Sequence, residues 1–243
     1  ANAALEPMLE GYTVLGYLAA LTTSVRLRLL ATAVTHRHPG VLAKTVTTLD
    51  VISGGRAELA LGAAWHRMEH QAFGVPFPSQ AERFERLEET LQICLQTWGP
   101  DDGPFVGRHF QLGATLCSPP PISRPRPPIV VGGGGERRTL LLVARYADAC
   151  NVFAPSPGVV AHKLDVLRRH CDDVGRSYAG VDKSIVYVGD ALNDTDGILR
   201  EISAYAGLGV DEVVVRPPGK CPEAWIESHA PTLVAGLADL GPH

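Results

Sequence analysis

The chain has 243 residues, 45% of them hydrophobic and 20% charged, with 22 Lys and Arg against 26 Asp and Glu for a net charge of −4. This composition supports a sizeable core and argues against disorder, and the mild acidity without a long basic run makes the chain a poor candidate for binding nucleic acid or an anionic membrane. No apolar run reaches the ~20 residues of a bilayer span, and five scattered cysteines without a C-x-x-C pair fit a reducing cytoplasm.

In chain order, Pro7 fits the first turn of a helix, with Met8, Tyr12, Leu15 and Leu18 recurring at helical spacing. Val25–Val34 begins in alternation and ends in an apolar run, the pattern of a strand buried most deeply at its C-terminal end. Pro39 opens a helix with Val41, Leu42, Thr45, Val46 and Leu49 on one face, and Gly54-Gly55 stops it. Ala57–Gly62 is a short strand. Ser79 and Glu82 form a capping box for a long helix whose apolar face is Phe84, Leu87, Leu91, Leu95 and Trp98. Residues 99–128 hold eight of the 19 prolines and break the rhythm, with room for a small hairpin at Phe105–Leu112. Strands are then predicted at Ile129–Val131, Ala149–Phe153, Ser184–Val188 and Glu212–Arg216, and helices at Glu136–Tyr146, Gly158–Val174, Asp196–Leu208 and Pro222–Leu240.

Strand and helix alternate without a run of strands, which implies α/β class: a parallel sheet covered by helices, in a single domain over 1–243. A doubly wound sheet could hold six strands, whereas a barrel needs eight. The lone helix at the start must follow a strand, so a unit is expected upstream of Ala1.

Several segments carry chemistry. Gly132–Gly135 at a strand end lets backbone N–H groups approach a phosphate, or makes a flexible turn; no G-K-[ST] or G-x-G-x-x-G spacing accompanies it. Thr32, Ala33 and Val34 end a buried strand. The small residues Gly62, Ala63 and Ala64 leave room for a flat ligand at the next strand end, with Trp65 as a stacking wall or a residue buried under the following loop. His36 and His38 form a His-x-His that a metal hydrolase could use, but the other strand ends offer no further ligands, so His36 is read as a proton donor or substrate contact and no metal is assigned. Glu69 and His70 face a pocket or begin a solvated helix. Asn151 in an apolar strand contacts a ligand or satisfies neighbouring backbone. Arg216 meets an anion or a surface partner. The Glu/Arg-rich 82–89 stretch is a solvated helix face.

The order of these pieces resembles the bacterial-luciferase-like superfamily: Ala31-Thr-Ala-Val-Thr-His-Arg-His-Pro-Gly-Val-Leu-Ala-Lys44, Leu49-Asp-Val-Ile-Ser-Gly-Gly-Arg-Ala-Glu-Leu-Ala-Leu-Gly-Ala-Ala-Trp65, Phe73-Gly-Val-Pro-Phe-Pro78, Glu82-Arg-Phe-Glu-Arg-Leu-Glu-Glu89, Pro127-Pro-Ile-Val-Val-Gly-Gly-Gly-Gly-Glu-Arg-Arg-Thr139 and Tyr146-Ala-Asp-Ala-Cys-Asn151. Within it, the branch that uses the deazaflavin coenzyme F420 is the most similar. The resemblance implies a (β/α)8 TIM barrel lacking its first two βα units in this chain, with 99–128 as the insertion between strands four and five. It implies a flavin-type ring at the barrel mouth against a non-prolyl cis peptide, placed at Ala33–Val34. It also implies a phosphate-bearing tail held by Gly133, Gly134, Gly135 and Glu136. The family's acid-histidine pair has no counterpart here, which leaves His36 as the catalytic candidate. The activity implied is hydride exchange with a small-molecule substrate by a homodimer, as is common in the family; an FMN-dependent monooxygenase and a non-catalytic flavin-binding protein with an incomplete barrel are the alternatives.

Overall fold

The computed structural model describes residues 7–189, 192–218 and 222–238. It divides after Gly132 into two compact units. In both, parallel strands alternate with helices, as the sequence pattern requires.

The first unit is organised on β3 (Ala57–Gly62), which is buried along nearly its whole length. Two short strands, β1 (Leu27–Arg28) and β2 (Thr32–Ala33), pair with it in parallel on one side, and β6 (Ile129–Gly132) pairs on the other. The continuous strand predicted at Val25–Val34 is therefore interrupted. Between the pairs Arg28↔Glu58 and Thr32↔Leu61 this segment advances four residues while β3 advances three, so one residue bulges out of the ladder. The non-prolyl cis peptide lies in this bulge at Leu30–Ala31, three residues before the expected Ala33–Val34.

Helix α1 (Gly11–Leu21) starts later than predicted, because Glu10 rather than Pro7 caps it, its carboxylate accepting from the Tyr12 and Thr13 N–H groups. Met8 is consequently exposed, and Tyr12 and Ala19 form the buried face. Arg56 closes the other end of α1 by donating to the Ala19 and Thr22 carbonyls. Helix α2 (Pro39–Ser53) has the predicted bounds and cap at Gly54, but it buries Leu42, Ala43, Val46 and Leu49 and leaves Val41 exposed. Its Asp50 is fully buried and anchors the Pro-rich run, accepting from Ile122 N (2.7 Å), Ser123 N (2.9 Å) and Ser123 Oγ (2.5 Å).

A helix not predicted, α3 (Arg67–Phe73), follows β3. Helix α4 (Gln80–Thr97) is capped by Ser79, and its face is Leu87, Thr90, Leu91, Ile93 and Cys94, with Phe84 and Leu95 only half-buried. Its charged start is more than a solvated face. Glu89 accepts from the N–H groups of Arg108, His109 and Phe110, which shape the turn of the hairpin β4 (Phe105–Val106) and β5 (Gln111–Leu112).

The second unit contains α5 (Thr139–Tyr146), β7 (Ala149–Ala154), α6 (Pro157–Asp173), β8 (Asp182–Tyr187), α7 (Thr195–Ala206), β9 (Glu212–Val215) and α8 (Pro222–Ala238). The strands run parallel in the order β7-β8-β9. Helix α5 begins at Thr139, three residues later than predicted, because Glu136–Arg138 form a turn. The last residues of the predicted final helix, 239–240, lie outside the described residues.

Candidate functional site

In the first unit the C-terminal ends of β3 and β6 meet Ala31 in a floor of small residues. A Cβ placed on Gly132 would stand 3.5 Å from the Ala31 Cβ, and one on Gly62 would stand 3.8 Å from both that atom and the Gly132 carbonyl oxygen. This floor exists because the bulge brings Ala31 against two glycines at strand ends. Thr32 and Val34 are core residues instead: the Thr32 hydroxyl pairs with the Tyr12 phenol at 2.7 Å, and Val34 is buried. Each can meet a ligand only through its backbone. Burial pushes the Tyr12 phenol up to about 12, so it stays protonated.

The rim of this floor is fixed from below. Arg83 donates to the Ala63 carbonyl (3.0 Å) and to Pro78 O (2.7 Å), with its guanidinium 4.1 Å from the centre of the Phe77 ring. Ala64 has φ 62°, a left-handed conformation rare for a residue with a Cβ. Such backbone is found where surrounding structure imposes it, often at functional sites. Trp65 is 83% exposed, which overturns its burial under the next loop and leaves its indole available as a wall.

His36 follows the floor. Its Nε2 is buried and has no hydrogen-bond partner, while Glu69 Oε2 lies 4.0 Å away. Burial pushes the imidazole below its ordinary value, opposed by the Glu69 charge. Its ring centre is 4.5 Å from that of His70. His70 does not begin a solvated helix; it is buried, with Nδ1 2.8 Å from the His66 carbonyl and Nε2 2.6 Å from the Thr35 hydroxyl. Since a carbonyl only accepts, Nδ1 carries a proton and donates to His66. His38 takes a different role: its Nδ1 accepts from Gly40 N as the cap of α2. Among the described residues no group of three or more His, Cys, Asp or Glu is placed to hold a metal.

In the second unit, Gly133 adopts φ 122° and donates its N–H to the Asn151 carbonyl at 2.8 Å, so that donor is committed. The Asn151 side chain donates to Ser184 Oγ at 2.8 Å inside the sheet, which answers its need for a partner from neighbouring structure. Glu136 is turned toward α6: its Oε1 accepts from Lys163 Nζ (2.5 Å) and His162 Nε2 (3.1 Å), and its carbonyl accepts from His170 Nε2 (2.7 Å). Arg83, Ala31 and Lys163 escaped the sequence reading, because only the packed fold brings them to these positions. Arg216 is exposed just past β9.

Residues 3–207 match the family described as luciferase-like monooxygenase. A phthiodiolone/phenolphthiodiolone dimycocerosates ketoreductase of Mycobacterium sp. (strain JLS) is 31% identical over 98% of this chain and 62% of its own length. The pyrimidine monooxygenase RutA of Variovorax paradoxus (strain S110) is 34% identical over 46% of this chain and 31% of its own length. The chain thus spans less than two thirds of these curated relatives. In fold it is similar to an F420-dependent secondary alcohol dehydrogenase (TM-score 0.81, 15% identity, 95% of this chain and 86% of that one). It is similarly close to the monooxygenase RslO1 of Streptomyces bottropensis (TM-score 0.80, 19% identity, 96% and 83%).

Proposed function

Because the chain belongs to the luciferase-like monooxygenase family, we propose that it is an oxidoreductase transferring a hydride between the deazaflavin coenzyme F420 and a small organic substrate. The observation that carries this reading is the meeting of Ala31, Gly62 and Gly132 at strand ends, where no side chain larger than a methyl is present. A planar ring needs that backbone-level approach, and a single Cβ on either glycine would occupy it. The residues therefore fit a flavin-type group, whose contribution when bound is a ring that accepts or releases a hydride.

The chain's own residues would supply binding, orientation and a proton. Ala33, the Thr32 and Val34 backbone, and Gly62–Ala64 would carry the ring, with Trp65 at its side. Gly134, Gly135 and Glu136, with Gly133 and Asn151 shaping their loop, would carry the phosphate-bearing tail. His36 would hold or deliver the proton: its Nε2 has no partner, burial lowers its affinity for a proton, and Glu69 stands close enough to steady the imidazolium once formed.

A second reading, an FMN-dependent monooxygenase, is favoured by the family description and by the identity to RutA. Titrating the purified chain with F420 and with FMN, followed by cofactor fluorescence, separates the two. Tighter binding of F420, with substrate-dependent bleaching of its absorbance under anaerobic conditions, supports hydride transfer; binding of FMN alone, with oxygen consumption, replaces it with the second reading.

A further inference from the structure

We infer that Lys163 is a phosphate-binding residue which Glu136 holds in place until an anionic cofactor tail replaces the carboxylate; the inference rests on the tail-binding role proposed for residues 133–136. The glycine loop contains a single anion, Glu136, and a phosphate brought to this loop would meet its charge unfavourably. The structure shows what offsets it. Lys163, in the second turn of α6, lies along the loop: its Cε is 3.7 Å from the position a Cβ on Gly134 would take, and its ammonium reaches Glu136 Oε1 at 2.5 Å. The Lys163 side chain is 23% exposed and the Glu136 side chain 40%, so the stem is packed while the carboxylate can swing outward into water. Further along the same helix, His170 donates to the Glu136 carbonyl at 2.7 Å and fixes the backbone of the turn independently of the carboxylate. His162, more exposed, adds a second donor to Glu136 Oε1 at 3.1 Å. A charge-assisted donor set against a glycine loop, already paired to an internal anion, is arranged for exchange of that anion for an external one.

The two halves of the pair then have opposite effects on an anionic ligand. K163M removes the donor and should weaken FMN binding about tenfold, while leaving riboflavin, which lacks the phosphate, within twofold. E136Q releases the donor and removes the competing charge, and should tighten FMN about threefold, again with little effect on riboflavin. K163R keeps the charge and should retain most of the affinity. The measurement is flavin fluorescence quenching on the full chain, with the same series repeated using F420. A loss of FMN affinity in both K163M and E136Q, or equal changes for FMN and riboflavin, would overturn the inference, because the pair would then only hold the loop. If the wild-type chain binds no flavin or deazaflavin, the cofactor reading fails by itself. Stabilisation of the chain by inorganic phosphate, lost in K163M and increased in E136Q, would still support the role of Lys163, and no stabilisation of the wild type would overturn it as well.

Discussion

Replacing Asp50 tests how the Pro-rich run is tied to the first unit. The carboxylate is fully buried and takes three hydrogen bonds from the 122–123 backbone and the Ser123 hydroxyl. In D50A, two backbone N–H groups lose a buried partner at about 1–3 kcal/mol each, and the Ser123 hydroxyl keeps the Gly55 carbonyl at 3.2 Å. The expected loss is therefore about 2–6 kcal/mol, a substantial part of the ~5–15 kcal/mol that stabilises a typical domain. S123A gives up only the hydroxyl and should lose about 1 kcal/mol. D50N, with one acceptor oxygen for three donors, should fall between them. Urea denaturation followed by the fluorescence of Trp98, whose indole donates to Thr47 on the same helix, reports on this region. A loss below about 1 kcal/mol in D50A would show that the run is held by its own packing and that the Asp50 bonds are incidental.

Three further outcomes bear on the ring site. G62A should fold and weaken cofactor binding severalfold, since its Cβ meets Ala31 and Gly132 at ordinary contact distance, whereas G62V should abolish binding measurable by fluorescence titration. Truncating the exposed Trp65 to Ala should leave the thermal midpoint within about 1 °C, as for other surface substitutions, yet reduce ring affinity; unchanged affinity would remove the indole from the site. Burial holds the folded-state value of His36 below its ordinary ~6.5, so the unfolded chain takes up the proton first and stability falls as pH drops below that value. H36Q should flatten this part of the urea-stability profile relative to wild type.

The alternation of strands and helices was legible because buried parallel strands and amphipathic helices leave different periods in the sequence. Ala57–Gly62 and Pro39–Ser53 match their predicted bounds, marked by an apolar run in one case and by Pro39 and Gly54 in the other. The misses have local causes. The Val25–Val34 run contains a bulge that costs no apolar residue, so hydrophobic pattern does not record it. Helix α1 begins where Glu10 offers a carboxylate to two N–H groups, a stronger signal than the earlier proline. Helix α5 starts late because Gly132–Arg138 follow the backbone demands of the loop.

The site was legible in its glycines and only partly elsewhere. Gly62 and Gly132 stand out at strand ends in the sequence and prove to face the same alanine. Side-chain partnership, in contrast, depends on elements distant in sequence. His70 reads as facing a pocket or starting a solvated helix, and the sequence does not decide, because 35 residues separate it from the Thr35 hydroxyl beside which it is buried. The same reasoning explains why His36 and His38, two residues apart, serve different ends. His38 sits at a helix start and is consumed by capping, which leaves His36 as the member of the pair whose ring nitrogen lacks a partner. A polar atom buried without a partner is costly unless something completes it. His36 is therefore where a proton-exchanging substrate should make its contact, and a substrate-dependent change in the His36 ring resonances, absent with an analogue that lacks the proton-exchanging group, is the direct measure of that contact.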